Sequence, residues 1–425
     1  MPHPAAALLS ASSAPSQKAA SACGVGHGGA LPPKGALQPV AAWHSALLAA
    51  SLLGAAAGCA TAPPEPRKFE RFATEPAAEA GGYCAWYGDA EGGMLFFGES
   101  AFWAAMRSRN GDPSADLAVK GPKRIGRFNL SVERMETPVT VDVPGGSGVW
   151  DVLAVGDQVY FTTFFGPAGL VDTARDELVV FAEAGTGLNE LARGPGGTLL
   201  ASRYGEAGGG AGSVVMLGGD GRVVNEIPLS APEGWLAAPK TVAYDPVRRQ
   251  IWVTVDLLPR AGGGARQDAR RLTLDGKELS RIEDPEIQFV VFSGEGPGYF
   301  AARFGRQLAL LVLDPLAPRG DPVLSARRIV LDDAFDPAAD FAQDIHVAAD
   351  GRVVVTRWSG LVHVVTPDTS AVETVAFPRE GGAGLYYSAV LDGKRLCATY
   401  CAGVEVVCTD APVVPPPSRP RKRVR

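Results

Sequence analysis

Short apolar runs recur along the chain, each bounded by turn-forming residues. They fall at 94–97 (MLFF), 159–163 (VYFTT), 198–202 (TLLAS), 251–255 (IWVTV), 299–302 (YFAA), 353–356 (VVVT) and 396–399 (LCAT). Successive runs start 39 to 65 residues apart. Each follows another strand-like segment across a tight turn, as at 192–197 (ARGPGG), 244–248 (YDPVR), 347–351 (VAADG) and 390–394 (VLDGK). One or two further strands come after, as at 213–217 and then 223–227. Runs of this length and spacing predict strands, and helical periodicity is nearly absent. A four-stranded up-and-down unit repeated seven times predicts an all-β chain. The expected fold is a seven-bladed β-propeller of four-stranded antiparallel blades over residues 81–411, with six or eight blades as alternatives. A β-sandwich or a pair of barrels would not repeat one strand–turn–strand signature seven times.

Such a ring brings the starts of the innermost strands and the ends of the next strands to one rim. Alignment on the turns places Ser202-Arg203-Tyr204-Gly205, Ala302-Arg303-Phe304-Gly305 and Thr356-Arg357-Trp358-Ser359 in register, with Asp256 at the equivalent place in the fourth blade. Guanidinium forks suit carboxylate or phosphate, so Arg203, Arg303 and Arg357, with Asp256, are candidate ligand-binding residues for a small anion. The competing reading pairs each arginine with an acid or an aromatic ring of a neighbouring blade. Asp151, Asn189 with Glu190, and Asp344 start innermost strands on the same rim. Their oxygens would suit Ca²⁺ or another hard divalent ion, or blade-to-blade hydrogen bonds. His346, two residues after Asp344, is expected mid-strand, facing the neighbouring blade in a structural role. Neither GxSxG nor HExxH occurs.

The stretch 343–365 (QDIHVAADGRVVVTRWSGLVHVV) resembles bacterial propellers of the YVTN, NHL and SMP-30/gluconolactonase kind, and weaker likeness extends over 83–409. SMP-30-like lactonases hold a catalytic divalent metal with Glu, Asn and Asp near these strand starts. The resemblance therefore implies an alternative function, a metal-dependent hydrolase or lactonase with Asp151, Asn189 and Asp344 around the ion.

Residues 1–57 contain no Asp or Glu, and an apolar stretch over 41–57 ends in Gly58-Cys59. That length suits a signal-peptide core better than a membrane span. The run 52–59 (LLGAAAGC) resembles the lipobox of bacterial lipoproteins, although Ala56 stands where Leu is usual. It implies cleavage before Cys59, lipidation of that thiol with diacylglycerol and palmitate, and anchoring to a membrane outside the cytoplasm. Ala60 after the cysteine resembles outer-membrane sorting. The expected organisation is a leader over 1–58, a flexible tether over 59–80, the propeller over 81–411 and a Pro-rich basic tail over 412–425.

Without leader and tail the body holds 33 basic and 46 acidic residues, a net charge of −13. This argues against nucleic acid as a partner. Four cysteines remain for disulfides, Cys84 at the start of the body and Cys397, Cys401 and Cys408 at its end. First and last blades must be neighbours, so at least one disulfide joining Cys84 to the last blade is expected. The first expectation for function is a monomeric, membrane-anchored envelope protein that binds a protein or small anionic ligand, needs no cofactor and performs no chemistry.

Overall fold

The computed structural model describes residues 67–412, apart from 74–83, 101–122, 145–147, 164–165, 206–210, 261–263, 295, 315–322, 324, 338, 380–385, 402–403 and the side chain of Cys84. The leader, Cys59 and the tail from 413 lie outside the described residues. No helix among the described residues is long and apolar enough to cross a membrane.

Seven four-stranded antiparallel sheets form the ring. Blade 1 comprises Cys84–Glu91, Met94–Ser100, Lys123–Asn129 and Arg134–Val141. Blade 2 comprises Asp151–Val155, Gln158–Thr162, Gly169–Asp172 and Glu177–Val180, and blade 3 Leu188–Arg193, Leu199–Arg203, Ser213–Leu217 and Val223–Pro228. Blade 4 comprises Trp235–Asp245, Gln250–Pro259, Arg266–Thr273 and Glu278–Ile282, and blade 5 Glu286–Phe292, Gly298–Phe304, Gln307–Leu313 and Arg327–Asp332. Blade 6 comprises Ala342–Val347, Val353–Arg357, Leu361–Thr366 and Ala371–Ala376. Blade 7 comprises Tyr386–Asp392, Arg395–Tyr400, Glu405–Asp410 and, from the other end of the chain, Glu70–Ala73. The seven apolar runs read from the sequence are the second strands.

Second strands are apolar on both faces because a neighbouring blade covers each face. Val353, Val354 and Val355 are all fully buried for this reason, Val353 and Val355 packing towards blade 5 and Val354 towards blade 7. A separate apolar cluster fills each gap between adjacent blades, including the gap between blades 1 and 7. Outer strands alternate, as in Ala371–Ala376, where Val375 is buried between exposed Thr374 and Ala376 neighbours. The turn at 347–351 folds through a hydrogen bond from the Ala348 amide to the Arg352 carbonyl, with Gly351 at φ +82°, where a side chain would be strained.

The tether expected over 59–80 needs correction. Glu70–Ala73 pairs antiparallel with Glu405–Asp410, with Phe72 opposite Val406. The strand is pinned on both sides, Phe72 against Phe128 of blade 1 at 4.9 Å and Phe69 against Phe377 of blade 6 at 5.3 Å. Arg67 reaches the Asp410 carbonyl at 3.0 Å, and Thr409 Oγ1 donates to the Lys68 carbonyl at 2.8 Å. Strand pairing between the two ends of the chain therefore closes the ring. Cys397 and Cys408 form a disulfide within blade 7. Cys401 is also disulfide-bonded, and the expected bond to Cys84 falls on a side chain outside the described residues.

Candidate binding site at the channel mouth

The innermost strands do not run straight to the rim. In six blades the register shifts near the strand start, between Ala85 and Gly88, Leu188 and Leu191, Pro239 and Val242, Ile287 and Phe289, Ala342 and Asp344, and Tyr386 and Ala389. A bulge frees one or two residues from the ladder and re-aims their side chains. The residues so released include Trp86, Tyr87, Asn189, Glu190, Lys240, Gln288, Gln343, Tyr387 and Ser388. Lys240, Trp86 and Tyr387 at the mouth come from these bulges.

Several of these groups bolt one blade to the next. Thr162 Oγ1 donates to the Asn189 carbonyl at 2.7 Å, and Asn189 Nδ2 and Ser202 Oγ donate to the Lys240 carbonyl at 3.2 and 3.0 Å. Gln288 Oε1 accepts from the Ala342 amide at 2.9 Å, and Ser388 Oγ lies 3.2 Å from the Gly88 carbonyl. Gln343 Nε2 of blade 6 reaches past blade 7 to donate to the Tyr87 hydroxyl of blade 1. Carbonyls and amides that bulges leave outside the ladder thus find partners on a neighbouring blade, as buried polar groups must.

Below the mouth a central cavity of about 590 Å³ is lined by Asp89, Asp151, Glu190, Asp344 and His346. Asp89 accepts from the Ala154 amide of blade 2 at 3.0 Å, and Asp151 accepts from the Leu191 amide of blade 3 at 2.7 Å. Asp344 accepts from the Ile345 amide at 2.7 Å and from Ser388 Oγ at 2.5 Å. Burial pushes Asp344 up to about 7, against the downward pull of those two hydrogen bonds. Burial also raises Asp89, and raises Asp151 and Glu190 well above the carboxylate range. His346 lines this cavity instead of facing the adjacent blade, because it shares a strand face with Asp344. Burial lowers its pKa, opposed by the Asp89 charge.

Among the described residues no three His, Cys, Asp or Glu side chains are grouped to hold a metal ion. Asp151 and Asp344 instead use their oxygens on backbone amides and Ser388, and Asn189 Oδ1 has no hydrogen-bond partner. The three residues lie on the expected rim and its channel, but a ligand set for a divalent ion is not assembled.

The three arginines are paired. Arg203 binds Glu226 at 2.8 Å and the Ala184 carbonyl, and Arg303 binds Glu286. Arg357, only 4% exposed, lies between Asp340 at 2.6 Å and Asp332 at 2.6 Å. Beside it, burial and the Arg357 charge hold His363 down to about 4. Arg303 and Asp256 share the wall of one cavity of about 910 Å³ opening between blades 4 and 5; Arg203 and Arg357 are not in that wall. Asp256 accepts from Gln267 Nε2 at 3.1 Å, and burial raises its pKa.

An aromatic arc also occupies the mouth. Trp150 lies 4.9 Å from Trp86, which stacks on Tyr387 at 3.8 Å; Trp358 meets Tyr387 edge-on at 5.8 Å and stacks with Phe341 at 5.3 Å. Phe341 then forms part of the 910 Å³ cavity with Lys240, whose ammonium lies 4.4 Å from the Phe289 ring centre and 5.8 Å from that of Phe341. The rings come from blades 1, 2, 6 and 7, so no local sequence signal joins them. Trp358 alone was visible, as the aromatic following Arg357.

No family model matches the chain, and no curated protein sequence matches it. Solved structures do. A catalytically inactive variant of virginiamycin B lyase from Staphylococcus aureus, with quinupristin, aligns over 81% of this chain and 100% of that one, at a TM-score of 0.51 and 11% identity. The extracellular domain of a hybrid two-component system from B. thetaiotaomicron aligns over 85% of this chain and 45% of that one, at a TM-score of 0.51 and 12% identity. At these identities the likeness concerns the fold: both neighbours support the seven-bladed propeller.

Proposed function

We propose that this chain is an exported envelope lipoprotein, anchored through Cys59, whose propeller binds a small ligand at the channel mouth without transforming it. The observation carrying this reading is the contrast in saturation between groups. Asp89, Asp151, Asp344 and Gln288 are engaged in bonds between blades. Phe341, at the end of the aromatic arc, and Lys240 line the 910 Å³ cavity instead. Concave sites with ring surfaces and a few directed polar groups are the usual form of small-molecule pockets.

The anchor and the site are tested separately. Cys59→Ser should release the chain from the membrane fraction into the soluble envelope fraction; unchanged partitioning would contradict lipidation. For the site, the full chain is purified natively and its bound small molecules are identified by mass spectrometry. A compound present with wild type and lost from Phe341→Ala supports the mouth as the site. Equal amounts in both proteins, or chemical conversion of the compound on incubation, would overturn the reading.

A further inference from the structure

Lys240 lines the mouth cavity without a salt bridge among the described residues. Two other cations of the wall are paired: Arg303 with Glu286, and Arg281 with Asp268 at 3.7 Å and with Glu278 at 3.0 Å. Among the described residues the Lys240 ammonium makes neither ion pair nor hydrogen bond, and the Phe289 and Phe341 rings lie beneath it. An ammonium held over aromatic faces gains some electrostatic attraction, but three N–H donors remain to be satisfied. The acids whose charges reach it are Glu190 and Asp256. Burial raises both, and the Lys240 charge pulls both down; neither is within ion-pair distance of the ammonium among the described residues.

The bulge between Pro239 and Val242 explains the placement. It removes Lys240 from the ladder, and Asn189 Nδ2 and Ser202 Oγ fix its carbonyl from blade 3. The backbone is thus clamped while the side chain extends into the cavity beside Phe341. Phe341 itself stacks nearly parallel, at 23°, on Trp358. A positive point and a flat ring platform therefore share one wall. Across the cavity Arg266 lies 5.0 Å above Trp235, a second cation on a ring.

We infer that the mouth takes a ligand bearing a carboxylate on a ring with a flat apolar face, the carboxylate meeting Lys240 and the ring lying against Phe341. This rests on the binding reading above and adds the ligand's charge and shape. Aryl acids and sugar acids share that chemistry, so probes of both kinds are needed.

The test uses the purified full chain and follows thermal stability and tryptophan emission. The probes are phenylacetate, glucuronate, phenylacetamide and acetate, against wild type, Lys240→Met and Lys240→Arg. Wild type should bind at least one of the ring acids in the millimolar range, and bind it more tightly than phenylacetamide or acetate. Phenylacetate ahead of glucuronate identifies an aryl acid, and the reverse order a sugar acid. Lys240→Met should weaken that acid about ten- to hundredfold, the usual worth of a charge-assisted hydrogen bond, and Lys240→Arg should recover part of the loss. If phenylacetamide binds as well as phenylacetate and Lys240→Met changes nothing, the inference falls while a binding mouth stands. If no ring acid shifts wild type at all, the inference also falls, and the compound that copurifies with the native chain decides the binding reading independently.

Discussion

The channel and the mouth are built from the same innermost strands, a few residues apart, yet they use polar groups in opposite ways. In the channel, carboxylates are tied to neighbouring amides and shifted towards neutrality by burial, as with Asp151 on Leu191 and Asp344 on Ile345 and Ser388. At the mouth, Lys240 lies over ring faces and, among the described residues, has no salt bridge. A cluster of acids in a cavity is thus compatible with a purely structural role. The side chain with capacity to spare marks the better site. A third pattern flanks blade 6, where burial raises Asp332 but the Ala334 amide and Arg357 together hold it below the usual range.

The largest effect should come from that flank. Arg357→Met leaves Asp340 and Asp332 without their buried cation and should cost about 3–5 kcal/mol in denaturant unfolding. A cost below 1 kcal/mol would show that these acids do not need the arginine.

Closure comes next. Non-reducing peptide mapping should recover Cys397 with Cys408 and a second bond joining Cys84 to Cys401. Cys84→Ser should then cost about 2–4 kcal/mol. Mapping that finds Cys84 reduced would leave closure to strand pairing alone. On that strand, Phe72→Ala should cost about 2 kcal/mol, because the ring is only partly buried against Phe128.

The channel acids make a pH prediction of definite sign. Asp344 is near 7 folded against an ordinary 3.8, so the native state keeps a proton that the unfolded chain releases. Its contribution is complete below the ordinary value and is lost as pH rises towards the folded value. Asp89, Asp151 and Glu190 act in the same direction. His346 and His363 have lowered values and act oppositely, but only as pH falls below their ordinary 6.5. Melting temperature should therefore decline as pH rises from about 6.5 through the Asp344 value near 7. Asp344→Asn should flatten that decline and gain about 1–3 kcal/mol at the alkaline end. An equally steep decline in the variant would show that Asp344 does not carry this effect. The smallest stability effect belongs to the mouth, where Lys240→Met should stay within about 0.5 kcal/mol of wild type.

Much of the ring was legible because blade faces demand unbroken apolar second strands, which stand out from 94–97 through 396–399. Asp151, Asn189 and Asp344 lie within the first three residues of innermost strands. Their partners were not legible: Leu191 meets Asp151 and Ser388 meets Asp344 across non-local packing. Lys240, Trp86 and Tyr387 escaped notice because bulges redirect them, and a one-residue slip reverses the face of every side chain beyond it. Glu70–Ala73 escaped as well, because four largely exposed residues carry little strand signal without the Glu405–Asp410 edge beside them.

The most direct test compares one residue from each region in a single binding measurement. The compound that copurifies with the native chain is titrated into wild type, Phe341→Ala and Asp344→Asn by calorimetry at constant pH. The account predicts that Phe341→Ala loses most of the affinity while Asp344→Asn keeps it. Retained affinity in Phe341→Ala together with lost affinity in Asp344→Asn would move the site into the channel and contradict the account.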